Sequence, residues 1–273
     1  MGEAIDTDVA WEAFARRDRA FDGRFVVAVH STRIYCKPSC AARRPRRENV
    51  AFLHDAAAAR AAGFRACRRC LPDSAARDRA AVIAAAAALG GDEAAPSLAA
   101  LAARVGYAPH HFHRLFRRMT GVTPAGYARM LRADRAAAAL RRAGSVTGAI
   151  YDAGYAAPSR FYADAARLGM TPTAWAHGGA GETITWTVLP CPPGSLLLAA
   201  SARGWCRFAF ATDEAEVRAE LPAATWVRGD AAFRARAAAL VADAAAPCDA
   251  SLPRAIREVA FRERLHAAAA RRG

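Results

Sequence analysis

The N-terminal region is organised around two cysteine pairs, CKPSC at residues 36–40 and CRRC at residues 67–70. Each pair can chelate one ion, and the chain between the pairs closes once around it. Two close pairs at a domain-sized separation are typical of a tetrahedral zinc site, and thiolates are preferred ligands of soft metals. The sequence therefore predicts bound Zn²⁺. The predicted ligands are Cys36, Cys40, Cys67 and Cys70.

Basic residues surround these cysteines. Residues 23–70 hold 11 bases and 2 acids, a net charge of +9. Four thiolates around one dication leave a negative centre, and cationic neighbours offset that charge. The same cations would hold a phosphate beside an electron-rich sulfur. A zinc ion that only holds a small domain together is the alternative, and ligand spacing by itself does not separate the two.

The whole chain is basic and has enough apolar residues for a core. Of its 273 residues 54% are hydrophobic and 23% charged, which excludes global disorder. Lys and Arg outnumber Asp and Glu by 39 to 25, so an anionic partner is favoured, with nucleic acid ahead of a membrane surface. The first residues form no basic-then-apolar leader, and prolines interrupt the longest uncharged run, residues 183–202. We therefore expect a cytoplasmic protein with no membrane partner.

An internal repeat follows an Ala-rich run at residues 75–89, which predicts a connecting helix. A Gly-Tyr pair at residues 106–107 recurs at 154–155, and a Gly-x-Thr-Pro motif at 121–124 recurs at 169–172. Apolar residues at helical spacing flank each Gly-Tyr pair, and helix, glycine turn, helix is the helix-turn-helix layout. The predicted N-caps of the two copies are Ser97 and Ser145.

The polar face of the second helix in each copy is the candidate DNA-binding surface, and the apolar face is assigned to the core. Residues 127–142 predict a helix that bridges the copies. Three histidines in the first copy also suggest a metal site, but residues 110, 111 and 113 do not share one helical face. The candidate DNA-contacting residues are His110, His111, His113, Arg114, Arg117 and Arg118 in the first copy and Ser159, Arg160 and Tyr162 in the second.

The last segment predicts a sheet and two helices. Residues 183–189, 194–200 and 204–210 alternate like antiparallel strands, and helices are predicted from Asp213 and over residues 259–265. No histidine directly follows any of the three remaining cysteines, so none has an adjacent base to activate its thiol. These incidental cysteines are Cys191, Cys206, which is predicted to be a small core residue, and Cys248.

The first segment, roughly residues 10–75, resembles the N-terminal domain of the Ada family, whose members repair methyl phosphotriesters in DNA. The resemblance is carried by IYCKPSC at residues 34–40 and GFRACRRCLPD at residues 63–73. It implies that the four cysteines bind zinc and that Cys36 accepts the methyl group irreversibly. The DNA-contacting positions that it implies are Thr32, Arg43 and Arg65. A further contact position of that family, usually Arg, is Ala41 here.

The remaining segments resemble two other families. Residues 97–177, with their Gly-x-Thr-Pro endings, resemble the AraC-type DNA-binding domain, which implies two recognition helices in major-groove segments about 34 Å apart. Residues 182–273 look like the N-terminal ribonuclease-like subdomain of O6-alkylguanine-DNA alkyltransferases. The Pro-Cys-His-Arg acceptor motif of that family does not follow, so we expect no repair of O6-methylguanine.

Together these interpretations predict a multidomain α+β protein. Its predicted parts are a small zinc-bound α/β module at 1–75, a connecting helix and linker at 76–96, an all-α double helix-turn-helix domain at 97–177 and a ribonuclease-like α/β fragment at 182–273. The predicted function is single-turnover methyl transfer from DNA to Cys36, coupled to transcriptional activation, with double-stranded DNA and RNA polymerase as partners. The alternatives are an AraC-type regulator with a purely structural zinc and a truncated O6-alkylguanine alkyltransferase.

Overall fold

The chain folds into two compact units of mixed α and β structure. A computed structural model describes residues 5–91, 95–142, 146–155, 157–210 and 213–272. The first unit comprises Met1–Ile83 with Asp249–Leu252, and the second comprises Ala84–Cys248 with Pro253–Gly273. None of the described helices is long and apolar enough to cross a membrane.

The first unit is a four-stranded sheet with helices. Its elements are α1 (Thr7–Arg16), β1 (Val26–Val29), β2 (Ile34–Cys36), β3 (Val50–Leu53), α2 (Ala56–Ala61), β4 (Arg65–Ala66) and the start of α3 (Pro72–Gly90). The strand order is β3-β1-β2-β4, in which β2 and β4 run parallel and the other pairs antiparallel. The helix predicted over the Ala-rich run at residues 75–89 is confirmed as α3.

Both faces of β1 are buried, because a helix covers each of them. Val27 packs with Phe14 of α1 in one apolar cluster, and Ala28 packs with Ala59 of α2 in another. Successive strand residues point to opposite faces of a sheet, so an unbroken apolar strand such as β1 needs cover on both sides. The sheet that carries the cysteines is therefore held from two directions.

The second unit begins with the helical repeat. Its helices are α4 (Leu98–Arg104), α5 (Pro109–Thr120), α6 (Pro124–Arg142), α7 (Val146–Asp152), α8 (Pro158–Asp164) and α9 (Pro172–Ala176). Gly106 and Gly154 end the first helix of each copy at φ +72° and +82°, a backbone region that favours glycine. The hydroxyl of Ser97 accepts from the backbone N–H of Ala100, which confirms that N-cap, whereas Ser145 lies outside the described residues.

The two copies are not identical. In the first copy α5 is one continuous helix with Phe112, Leu115 and Phe116 fully buried, as its apolar pattern predicts. In the second copy α8 ends at Asp164, and the chain continues as a 3-10 turn over Ala165–Leu168. The bridging helix predicted at 127–142 is α6, which begins three residues earlier, at the proline of the Gly-x-Thr-Pro motif.

The second unit ends with a four-stranded sheet and three helices. These elements are β5 (Thr183–Cys191), β6 (Gly194–Ser201), β7 (Gly204–Ala209), α10 (Glu214–Ala219), β8 (Thr225–Arg228), α11 (Ala231–Asp243) and α12 (Arg254–Arg272). The order is β7-β6-β5-β8, with the first three strands antiparallel as predicted and β8 parallel to β5. Strand β8 and helix α11 carry no sequence-based prediction.

One hydrophobic core joins the helical repeat to this sheet. Leu140, Ile150 and Trp175 of the helices belong to the same buried cluster as Ile184 and Trp186 of β5. Burial of each such side chain is worth about 1.5–3 kcal/mol. The glycine cluster at residues 178–181 therefore separates helices from sheet along the sequence, yet both lie in one compact unit.

Candidate metal centre and nucleic-acid interface

The four predicted metal ligands lie together in the first unit. Their Sγ atoms are all within 4.8 Å of one another. Cys36 is the last residue of β2, and Cys67 directly follows β4. Because these strands pair in parallel, with Tyr35 opposite Ala66, their carboxyl ends carry the two cysteines to the same edge of the sheet. The backbone N–H of Cys67 donates to the carbonyl of Tyr35 at 2.9 Å, which fixes this register.

Tight turns bring the second cysteine of each pair back to the first. The N–H of Cys40 donates to the carbonyl of Lys37 at 3.1 Å, and the N–H of Leu71 donates to the carbonyl of Cys67 at 3.0 Å. The backbone N–H of Lys37 also donates to the Sγ of Cys70 at 3.3 Å. Each pair thus folds into a short chelating loop, as its spacing predicts.

The electrostatics of the cluster match a bound dication. A hydrogen bond with Cys70, together with burial, raises the pKa of Cys36, and burial raises the pKa of Cys40 to about 11. The same hydrogen bond from Cys36 lowers the pKa of Cys70 to about 5. Because the four thiols lie so close together, they do not all ionise unless a cation is bound between them. Four sulfur donors in this arrangement fit Zn²⁺ both in number and in ligand chemistry.

Hydrogen bonds beyond the cysteines hold these loops in place. The hydroxyl of Tyr35 donates to Asp73 at 2.7 Å and accepts from Arg60 at 3.1 Å. The side chain of Ser39, within the first pair, donates to Asp22 at 2.6 Å. The two residues of each hydrogen bond lie 17 to 38 residues apart along the chain, and no sequence motif predicts these contacts. Such outer contacts orient metal ligands in the way known from other metal sites.

The structure separates the arginines of this unit into engaged and free groups. Arg33 donates to the carbonyl of Ala62 at 2.9 Å and lies over the ring of Phe64. By contrast, the side chains of Arg43 and Arg65 are exposed, and neither side chain has a hydrogen bond or ion pair among the residues that the structure describes. Other engaged arginines are Arg44, Arg47, Arg60 and Arg69.

The other two positions named by the resemblance are also at the surface. Thr32 is exposed in the turn between β1 and β2. Ala41 is exposed too, and its carbonyl accepts a long hydrogen bond from Arg69 at 3.4 Å. A basic side chain therefore reaches the neighbourhood of Ala41 from the second cysteine pair. DNA contacts by Thr32, Arg43 and Arg65 remain predictions.

The candidate DNA-binding face of the first helix-turn-helix copy is open. The residues of α5 that the sequence places on this face and that are exposed are His110, His111, Arg114, Arg117 and Arg118. His113 is only half-buried, and Arg118 also takes part in an interaction within the chain. Glycine at the end of α5, at φ +79°, turns the chain into α6.

The corresponding face of the second copy carries little free positive charge. Ser159, Arg160 and Tyr162 of α8 are exposed, as expected for a surface that meets a partner. Arg167, a further basic residue of the second copy, is paired with Glu263 at 2.6 Å. The pairing partner lies 96 residues away, so sequence inspection missed it.

Burial favours the neutral thiol at two of the three cysteines outside the cluster. Cys206 is buried, as predicted for a small core residue, and burial raises its pKa to about 12. Burial likewise raises the pKa of Cys191, which is half-buried. Neither thiol is prepared to act as a nucleophile, because the reactive form is the thiolate.

Comparison with known proteins agrees with this arrangement. Residues 9–73 match the family described as the metal binding domain of Ada, and residues 101–178 match a helix-turn-helix domain family. The chain is 37% identical over 269 residues to the bifunctional transcriptional activator/DNA repair enzyme Ada of Escherichia coli, covering 96% of this chain and 76% of that protein. It is 38% identical over 242 residues to the regulatory protein ada of Salmonella typhimurium, covering 86% and 69%.

Among solved structures, the crystal structure of the methylated N-ADA/DNA complex is 41% identical and covers 47% of this chain and 99% of that chain, with a TM-score of 0.33. The alignment with the Escherichia coli relative covers 96% of this chain, so it extends through the metal cluster, the helical repeat and most of the following sheet and helices. The chain belongs to the Ada family of DNA repair proteins and transcriptional regulators.

Proposed function

We propose that this chain repairs methyl phosphotriesters in DNA by transferring the methyl group irreversibly to Cys36, and that it activates transcription of alkylation-response genes. The observation that carries this function is the cluster of four sulfurs in a domain matched to the metal binding domain of Ada. The protein is an enzyme in the single-turnover sense, because its nucleophile is consumed.

The chemistry at Cys36 is a single displacement. Cys36, Cys40, Cys67 and Cys70 would hold Zn²⁺, which would keep their thiols deprotonated at neutral pH. The Sγ of Cys36 attacks the methyl carbon opposite the ester oxygen, a sulfur–carbon bond forms and the carbon–oxygen bond breaks. The electron pair leaves with the oxygen as a phosphodiester anion. No proton, oxidant or reductant is needed, and the thioether product has one negative charge fewer than the thiolate.

The surroundings of Cys36 support its choice as acceptor. Thr32 lies in the turn that leads into β2, the strand that ends at Cys36. Arg65 lies on β4 opposite Ile34, and its guanidinium is exposed and free of ion pairs within the described chain. A phosphate that meets Arg65 and Arg43 would be held near the sulfur cluster. Cys70 is more exposed than Cys36, so it is the competing acceptor that an experiment must exclude.

The second unit supports binding to double-stranded DNA through two helix-turn-helix copies. Exposed polar residues on α5 and α8 would enter successive major-groove segments about 34 Å apart. We further propose RNA polymerase as the protein partner, since activators act on it, and the cytoplasm as the location. A ribonuclease-like subdomain similar to that of the alkyltransferases is proposed for the sheet that follows.

Transfer of a labelled methyl group tests this function. The full chain is loaded with zinc and incubated with duplex DNA that carries radiolabelled methyl phosphotriesters. We expect stoichiometric label on the wild type and on a Cys191→Ser control, and none on Cys36→Ser. If the wild type binds zinc and takes up no label, the protein is a regulator with a purely structural zinc. Label retained on Cys36→Ser would refute Cys36 as the acceptor.

A further inference from the structure

The recognition segments of both helix-turn-helix copies end against the C-terminal part of the chain. At Gly121, after α5, an added Cβ would lie 2.7 Å from the guanidinium of Arg264. At Gly169, 48 residues later and after the 3-10 turn, an added Cβ would lie 2.6 Å from the backbone carbonyl of Trp205. Both glycines also have positive φ, at +79° and +58°. Equivalent points of the two copies are therefore packed against elements that follow the repeat.

Helix α12 anchors the first copy through Arg264. This side chain is buried, and its guanidinium donates to the carbonyl of Thr120 at 2.6 Å and to the carbonyl of Ala244 at 2.8 Å. Thr120 is the last residue of α5, where the free carbonyls and the helix dipole favour a cation. A buried charge is costly unless it is hydrogen-bonded. Arg264 therefore fixes the position of this helix end.

The adjacent residue, Glu263, connects to the second copy. Its carboxylate pairs with Arg167 at 2.6 Å and with Arg129 of α6 at 3.5 Å, and its side chain is 8% exposed. Arg167 belongs to the 3-10 turn that continues α8. Two consecutive residues of α12 thus hold the end of α5 on one side and the end of the second recognition segment on the other.

Gly126 gives independent support for this close approach. It lies within α6, where glycine costs about 1 kcal/mol relative to alanine. A Cβ at this position would lie 2.9 Å from the Oε1 of Glu263. The equivalent position in the second copy, 48 residues later, is Ala174. Glycine is thus used in the copy where a carboxylate lies against the helix.

We propose that Glu263 and Arg264 are positioning residues for DNA recognition: α12 fixes the spacing between the two recognition segments. This inference rests on the proposed function in one respect, that both copies contact DNA. A rigid spacing makes the protein discriminate between duplexes in which the two contacted segments are separated by different numbers of base pairs. If the pair only stabilised the fold, its loss would weaken binding to all such duplexes alike.

Spacing discrimination is measured with Glu263→Gln, which keeps the size of the side chain and removes its charge. The matched control is Glu258→Gln on the same helix, whose partner Arg254 forms an exposed pair at 2.7 Å. The probes are the duplex that the wild-type full chain selects from a random library and the same duplex with one base pair inserted between its two protected segments.

We expect the wild type and Glu258→Gln to lose about tenfold or more in affinity on the lengthened duplex, a difference of about 1.4 kcal/mol. Glu263→Gln should lose about threefold or less, because its second copy is free to shift. Amide hydrogen exchange of residues 165–169 should also quicken in Glu263→Gln and not in Glu258→Gln. Gly126→Ala should behave like Glu263→Gln, although alanine favours the helix.

Equal discrimination by Glu263→Gln and the wild type, or unchanged amide exchange, would overturn the inference. Methyl transfer to Cys36, measured on the same samples, separates this result from a failure of the proposed function. The wild type should transfer the methyl group whatever the outcome for spacing, since the cysteine cluster lies in the first unit. A wild type that transfers the methyl group and selects no duplex would overturn the inference and the proposed role in transcription.

Discussion

Replacing Arg65 with alanine should weaken DNA binding in a manner that depends on salt. The Arg65 side chain is exposed, and no group in the described part of the chain competes with a DNA phosphate for it. Because β4 pairs with β2, Arg65 lies opposite Ile34, two residues before Cys36. Its removal should therefore delete one phosphate contact near the sulfur cluster without disturbing the core.

The magnitude follows from counterion release. Each phosphate contact contributes about 0.9 to the slope of log affinity against log salt concentration, so the slope should become shallower by about 0.9. Between about 50 mM and about 200 mM salt, the affinity ratio of wild type to variant should fall by about 3.5-fold. The defect is thus largest at low salt.

Fluorescence anisotropy titrations of a labelled duplex across a salt series measure this slope. Arg16→Ala is the matched control, because it removes the same charge from the same unit, but Arg16 is already paired with Glu12 at 3.5 Å on the surface of α1. We expect its slope to match the wild type. An unchanged slope for Arg65→Ala, or an equal change in both variants, would refute the contact and leave only an effect of net charge.

Three further outcomes are expected. Removal of zinc by a chelator should speed amide hydrogen exchange in β1 and β2 and leave the exchange of α5 unchanged, because the cysteine cluster lies in the first unit. Slow amide exchange of β1 and β2 in metal-free protein would contradict this. Burial lowers the pKa of His266 to about 3, so on acidification the unfolded state binds a proton at a higher pH than the folded state does. The free energy of unfolding should therefore fall as the pH drops below about 6.5, by up to about 1.4 kcal/mol per pH unit. Urea unfolding of His266→Leu should show a smaller pH dependence than the wild type, and an equal one would disprove the assignment. Phe112→Ala should cost about 3–5 kcal/mol of unfolding free energy, because the ring is fully buried, and a loss below about 1 kcal/mol would contradict its place in the core.

The metal centre is the part of the molecule that sequence inspection predicts best. Ligand spacing is a local property, and each cysteine pair closes its own loop through short-range hydrogen bonds. The parallel pairing of β2 with β4 was not predictable in the same way. Strand β4 is only two residues long, Arg65–Ala66, and such a segment has no periodicity to detect.

The state of individual arginines could not be read from the sequence. Eleven bases between residues 23 and 70 give one electrostatic signal, but folding engages Arg33 with Ala62 and Phe64 and leaves Arg43 and Arg65 free. These partners depend on tertiary contacts. A charge count therefore predicts an anionic partner and does not say which side chains meet it.

The placement of the C-terminal helix was also beyond sequence patterns. The apolar residues of α12 predict a buried face, and Phe261 and Leu265 indeed pack in the sheet cluster. Glu263 and Arg264 are charged residues within this helix, and sequence inspection identified no partner for either. They are buried because their main partners are distant in the sequence: Arg167 lies 96 residues from Glu263, and Thr120 of α5 lies 144 residues from Arg264.

The most direct test of this account is peptide mapping of the zinc-loaded full chain after incubation with DNA that carries methyl phosphotriesters. The intact protein should gain the mass of one methyl group, and fragmentation should place that group on the peptide that contains Cys36, with Cys40, Cys67 and Cys70 unmodified. A methyl group on Cys70, the more exposed sulfur, or no mass gain in protein that retains its zinc, would contradict the assignment of Cys36 as the acceptor.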